Sequence, residues 1–247
     1  VVPLSDQNPI KITPYVTYTL IALNVLVFFY EITLSPQQLT SLFYNWAVVP
    51  KELTASLHFQ DGLSAVKVGE LGTLITAQFL HAGFLHVAGN MLYLWIFGNN
   101  LEEQLGRIRF VIFYLTCGVL ASLAQWYFAP MSGIPSLGAS GAIAGVMGAY
   151  ILRYPKANIL TLIPIGLFIT TARIPALLFL GFWFIQQALY GVTSLGAPAN
   201  VGMESGGIAY WAHAGGFLIG VLLGPLFGLF SNITEDISTA QDTPLQS

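Results

Sequence analysis

Six long apolar stretches, parted by shorter polar ones, organise the chain: residues 14–34, 74–100, 108–129, 138–152, 174–191 and 207–230. A bilayer core about 30 Å thick is crossed by a helix of ~20 apolar residues, so each stretch predicts a transmembrane helix. The fold class expected is an all-α polytopic membrane protein with six spans. Residues 1–13 precede the first span and the polar residues 231–247 follow the last as a tail. The first apolar run is long and no small-residue cleavage motif follows it, so no cleavable signal peptide is expected. No internal repeat or low-complexity tract interrupts the pattern.

Two connections carry apolar residues of their own. Residues 159–171 are apolar but broken by Pro164 and Gly166, which predicts an interfacial loop rather than a seventh span. Residues 35–72 contain Leu42, Phe43, Trp46, Val48, Val49 and Leu53 among a few charges. Amphipathic segments with Trp favour the lipid–water boundary, so this first loop is expected to lie in the outer leaflet.

Composition agrees with a lipid-facing surface. Charged residues are 8% of the chain, hydrophobic ones 55%, and mean hydropathy is +0.71. Soluble domains carry roughly 25% charge. The net charge of −3, without a Lys/Arg cluster, gives no electrostatic footprint for nucleic acid. A lone cysteine, Cys117, excludes a disulfide within the chain. Basic residues set the orientation. With a cytoplasmic N-terminus, Lys11, Arg107, Arg109, Arg153, Lys156 and Arg173 are inside, and only Lys51 and Lys67 outside. The tail then lies in the cytoplasm as well.

Polar side chains inside lipid are costly and therefore mark candidate sites. The second span carries His81, His86 and Asn90, the fourth opens on Gly138-Ala139-Ser140-Gly141, and the sixth carries His213. Counting about 1.5 Å per residue from the inner edge puts Ser140, His86, Asn90 and His213 within one layer ~10 Å deep. His86 and Asn90 share a helix face, whereas His81, five residues before His86, is expected to face elsewhere. Small residues bring the spans together: Gly216, Gly220 and Gly224 on the sixth can meet Gly141, Ala144, Gly145 and Gly148 on the fourth. The loop 130–137 must then dip into the membrane, where irregular backbone is tolerated only along protein or a wet cavity.

The chemistry these residues suggest is a serine nucleophile, Ser140, with His213 as general base. The fourth span's N-terminus offers free N–H groups beside Ser140 for an oxyanion, supplemented by His86 and Asn90. Asp6, Asp61, Asp236 and Asp242 lie in loops or tails, and no Glu falls in the reactive layer, so a Ser–His dyad rather than a triad is expected. No metal or other cofactor is called for.

Together, His81-x4-His86-x3-Asn90, Gly138-x-Ser140-Gly141 and His213-x-Gly215-Gly216-x3-Gly220 resemble the rhomboid family of intramembrane serine proteases. The similarity runs from about Pro14 to Phe230 and includes Asn99-Asn100-Leu101-Glu102 and residues 183–187. It implies a six-helix rhomboid bundle over residues 14–230 with a cavity open to the extracytoplasmic side, in a bacterial-type plasma (inner) membrane. Carried over by position, Ser140 is nucleophile, His213 base, and His86 and Asn90 oxyanion donors, with His81, Gly138 and Gly141 in support. Substrates would be single-pass transmembrane proteins, cut near their extracytoplasmic end. The fifth span and residues 192–206 resemble a substrate gate and its cap. Two departures stand out. Gly72-Thr73 replaces a Trp-Arg pair common before the second span, and Ala144 replaces an aromatic residue that stacks on the base in some members.

Duller roles compete. Asn24, Ser122, Gln125 and Gln186 read as interhelical hydrogen-bond partners, with Gln125 a candidate cavity residue. His81 reads as structural and His58 as solvated or interfacial. Glu102, Glu103, Arg107 and Arg109 read as charges fixing the inner end of the second span. Rival functions are a non-catalytic rhomboid-like protein that binds membrane helices and, more remotely, a transporter lined by His81, His86 and His213.

Overall fold

The computed structural model describes residues 1–57, 68–166, 168–195 and 209–231. His58, Asp61, Lys67, Asp236, Asp242, residues 196–206 of the expected cap and the tail beyond Ser231 lie outside the described residues.

The first helix, α1 (Tyr15–Glu31), has Pro14 before it and no cap of its own. Its orphan amides are met from elsewhere in the chain: Val16 N and Thr17 N donate to the Glu102 carboxylate at 3.0 and 2.7 Å, and Thr17 Oγ1 at 2.8 Å. The expected first loop is helical in part. α2 (Pro36–Trp46) opens on a Ser35–Gln38 capping box, and α3 (Pro50–Leu57) follows. Ala47, Val48 and Leu53 bury themselves against Leu74, Ala77 and Leu80 in a small second core, while Trp46 stays exposed.

The predicted second span is not continuous. α4 (Val68–Thr76) and a 3₁₀ turn (Ala77–Phe79) end before α5 (Phe84–Tyr93), which continues through a π turn (Leu94–Gly98) into α6 (Asn99–Leu105). The two parts bend by 80°. The break has a physical cause: His81 N donates to the Glu31 carboxylate at 3.1 and 3.3 Å, and Gly83 starts the new helix in extended backbone.

α7 (Arg107–Phe128), α8 (Ser140–Arg153), α9 (Ala176–Ser194) and α10 (Tyr210–Leu226) complete the helices. α8 is the centre, buried without interruption from Gly141 to Tyr150. It touches α10 backbone to backbone. A Cβ on Gly148 would collide with Phe217 O, one on Gly216 with Gly141 O, and one on Gly220 with Gly145 O. Small residues permit this approach.

The all-α expectation fails at one place. Residues 159–171 are not an interfacial loop but most of a hairpin, β2 (Asn158–Ile165) and β3 (Phe168–Pro175), turned at Gly166 (φ 59°). β1 (Val2–Asp6) adds antiparallel to β2, giving the order β1-β2-β3. Ile159 and Thr161 are buried two apart, the period of a strand with one covered face. Asp6 Oδ2 ties the sheet to the bundle, accepting from Asn100 Nδ2 at 2.9 Å and Tyr150 Oη at 2.7 Å.

Alternate helix ends gather at one pole. The Arg107 guanidinium lies 4.8 Å over the Tyr15 ring, and Gln104 joins Ser231 O at 2.9 Å and Arg153 Nε at 3.2 Å. Glu31, His81, Ser140 and His213 lie toward the other. Among the described residues, α7 and α9 are each long and apolar enough to cross a membrane, and the bent pair makes a third if taken as one span. The α9 window is only 28% buried, with Leu178 and Phe182 on its open face.

Candidate active site

Ser140 is the first residue of α8, preceded by Ala139 and by Gly138 at φ 117°. The first intrahelical bond runs from Ile143 N to Ala139 O at 3.0 Å. The amides of Ser140, Gly141 and Ala142 therefore have no intrahelical acceptor. Four contacts fix the chain leading to them: Ser136 exchanges backbone bonds with Val48 at 2.7 and 3.1 Å, Lys51 N reaches Ser132 O at 2.9 Å, Thr54 Oγ1 reaches Pro130 O at 2.7 Å, and Gly138 N reaches Ala77 O at 2.8 Å. The segment between α1 and α4 thus anchors the serine loop directly, although Gly72-Thr73 stands where a Trp-Arg pair was the pattern. Thr73 is buried, and its hydroxyl donates to Glu70 O at 2.6 Å.

The Gly216–Gly141 and Gly220–Gly145 contacts set the height of α10 beside α8. They bring His213 Nε2 to 2.7 Å from Ser140 Oγ. The other ring nitrogen, Nδ1, is 2.9 Å from Gln187 Oε1 of α9, and the Trp183 ring lies 5.7 Å away, centroid to centroid. With Ala144 too small to stack, these two α9 residues hold the imidazole. Gln187 falls within the rhomboid-like stretch 183–187, but the sequence assigns it no role. Gln186, its neighbour, instead contacts Tyr190 Oη at 3.4 Å.

His86 and Asn90 approach Ser140 from α5. A Cβ at Gly138 would stand 2.7 Å from His86 Nε2 and 3.5 Å from Asn90 Nδ2, so a glycine here leaves both side chains bordering the serine loop. His81 does not face elsewhere. Because the helix breaks after Phe79, its ring turns back, with Nε2 2.9 Å from Asn90 Nδ2 and the ring edge-on to His86 at 5.0 Å. Among the described residues, its buried Nδ1 has no hydrogen-bond partner. Glu31 reaches this layer too, contrary to the expectation that no Glu does, but its carboxylate serves the His81 backbone and not His213.

The remaining polar residues of the helices take local partners. Gln125 Oε1 accepts from Ala212 N at 3.3 Å, and Asn24 Nδ2 donates to Leu20 O at 2.8 Å. Among the described residues, no three His, Cys, Asp or Glu side chains converge as metal ligands. The arrangement can do acyl-transfer chemistry: a hydroxyl on an imidazole, beside amide N–H groups at a helix N-terminus.

Residues 68–230 match the rhomboid domain family model. The chain is 34% identical over 164 residues to the rhomboid protease GluP of Bacillus subtilis, covering 62% of this chain and 29% of that protein. It is 33% identical over 156 residues to rhomboid protein 1, mitochondrial, of Saccharomyces cerevisiae, covering 62% and 40% respectively. Against rhomboid-like protein 11, chloroplastic, of Arabidopsis thaliana, identity is 28% over 165 residues, covering 66% and 54%. The chain thus spans well under two thirds of each of these relatives.

Proposed function

The chain belongs to the rhomboid family, and from that premise we propose that it is a serine endopeptidase acting inside the membrane on single-pass transmembrane proteins. Members of this family are integral membrane proteins, and relatives of this chain are named rhomboid proteases. The observation that carries the reading is the 2.7 Å contact between His213 Nε2 and Ser140 Oγ. Ser140 Oγ attacks the scissile carbonyl while His213 takes its proton, and the imidazolium then returns that proton to the leaving amine. A water deprotonated by His213 releases the acyl group from Ser140. The oxyanion meets the Ser140 N–H, with His86 and Asn90 as side-chain donors.

The bundle crosses the membrane six times in this reading, with α1, α5–α6, α7, α8, α9 and α10 as the spans. Both termini are cytoplasmic, so the pole holding β1, β2 and β3 faces inward and Ser140 opens outward. α8, at 14 residues, is about 21 Å long and too short to cross a ~30 Å core unaided. Its N-terminus therefore sits recessed below the outer face, where the scissile bond of a membrane helix would be delivered. α9 and residues 192–206 are the gate and cap.

The test is to incubate the purified protein in liposomes with a panel of single-pass substrates, beside Ser140→Ala and His213→Ala. Cleavage near the extracytoplasmic end that both variants abolish supports the reading. Undiminished turnover by Ser140→Ala refutes it.

A further inference from the structure

A histidine that accepts a proton from serine through Nε2 must carry its own proton on Nδ1. Two neutral tautomers compete, and an unassisted imidazole divides itself between them. Here the atom facing Nδ1 is an uncharged amide oxygen, Gln187 Oε1, at 2.9 Å. An amide oxygen only accepts, so this bond exists only with the proton on Nδ1. The lone pair is then left on Nε2, 2.7 Å from Ser140 Oγ. Gln187 is 8% exposed, so water competes little for the bond. One turn earlier on the same face, Trp183 packs on the imidazole and limits its rotation.

We infer that Gln187 is a positioning residue: its side-chain oxygen, presented by α9, holds His213 in the one tautomer and orientation that serve Ser140. The inference rests on the reading of Ser140 and His213 as nucleophile and base. It assigns to a neutral amide the place a carboxylate fills in a triad. The amide orients the ring without adding a charge inside the membrane, where an unpaired carboxylate is costly. It also draws the three residues from three helices, since the serine comes from α8, the histidine from α10 and the residue that orients it from α9.

The test compares Gln187→Met, nearly isosteric but without a strong acceptor, with Gln187→Glu, which keeps an acceptor oxygen. Each is assayed in liposomes against one cleavable single-pass substrate, beside Ser140→Ala and His213→Ala. Gln187→Met should lose about 10–100-fold in kcat, part of what a well-placed general base supplies. Its KM should stay within about twofold and its thermal midpoint should hold. Gln187→Glu should recover most of the lost kcat. In a His213→Ala background, Gln187→Met should not change the residual rate of fluorophosphonate labelling, because the residue acts through the ring. An unchanged kcat in Gln187→Met, a change carried by KM, or an equal loss in Gln187→Glu overturns the inference. If Ser140→Ala and His213→Ala are still inactive in that case, the dyad survives without it. A Ser140→Ala chain that still cuts removes both.

Discussion

Gly138 concentrates two constraints in one residue. Its φ of 117° lies where a side chain is strained, and any Cβ would stand 2.7 Å from His86 Nε2. Gly138→Ala should therefore push His86 away from the serine loop and lower kcat by about 10²–10³-fold, the cost of one oxyanion donor, with helical content by circular dichroism preserved. In the proposed mechanism Asn90 adds a second donor, its amide nitrogen held 2.9 Å from His81 Nε2. Asn90→Ala should cost less than His213→Ala, and His81→Ala should reproduce part of the Asn90→Ala loss in the same kcat measurement. The neighbours Ser140, His213, His86 and Asn90 stand out in the sequence because polar side chains interrupt apolar runs. His81 misleads for a definite reason: the angle between His81 and His86 was reckoned along one continuous helix, whereas one helix ends at Phe79 and the next begins only at Phe84. Gln187 is opaque because two adjacent glutamines lie about 100° apart on a helix and only the packing of α9 on α10 selects one.

Among the elements, the α8–α10 seam governs the reacting distance. A side chain at Gly220 or Gly148 has backbone in its way on the facing helix rather than a flexible neighbour. Gly220→Leu should drive the helices apart, lower the thermal midpoint in detergent and remove activity together. α1 depends on a different device, the Glu102 carboxylate that caps it from α6. Glu102→Ala leaves those buried donors unmet and should cost about 1–3 kcal/mol each before relaxation, read as a fall in the thermal midpoint. The helix pairing was legible because glycines at intervals of four mark a face. The hairpin was not, because Ile, Leu and Thr suit a strand and an apolar interfacial segment equally, and Pro164 and Gly166 break both. Its strands pair with each other from Asn158–Pro175 to Ile165–Phe168, and β1, far away in the chain, adds a third strand.

On the scale of the whole molecule, the sheet closes the pole opposite Ser140. Burial raises the Asp6 carboxyl above its ordinary 3.8, although Tyr150 and Asn100 donate to it and pull the other way. A group with a raised folded-state pKa binds its proton more tightly in the fold. Its contribution is complete below the unfolded value and is lost as pH rises through the folded one. Thermal unfolding of the wild type should therefore show a decline in stability as pH rises from about 4. In Asp6→Asn that component of the slope should be absent.

The pairing of Val2 with Leu162 also fixes an order of assembly. Once made, β1 has no partner until the ribosome has passed position 162, on the order of 10 s later at ordinary elongation rates. In the proposed topology the helices between them have by then entered the bilayer. With both strands on the side proposed to be cytoplasmic, β1 waits where synthesis occurs, and its docking comes late, as the clasp that joins residues 2–6 to the hairpin.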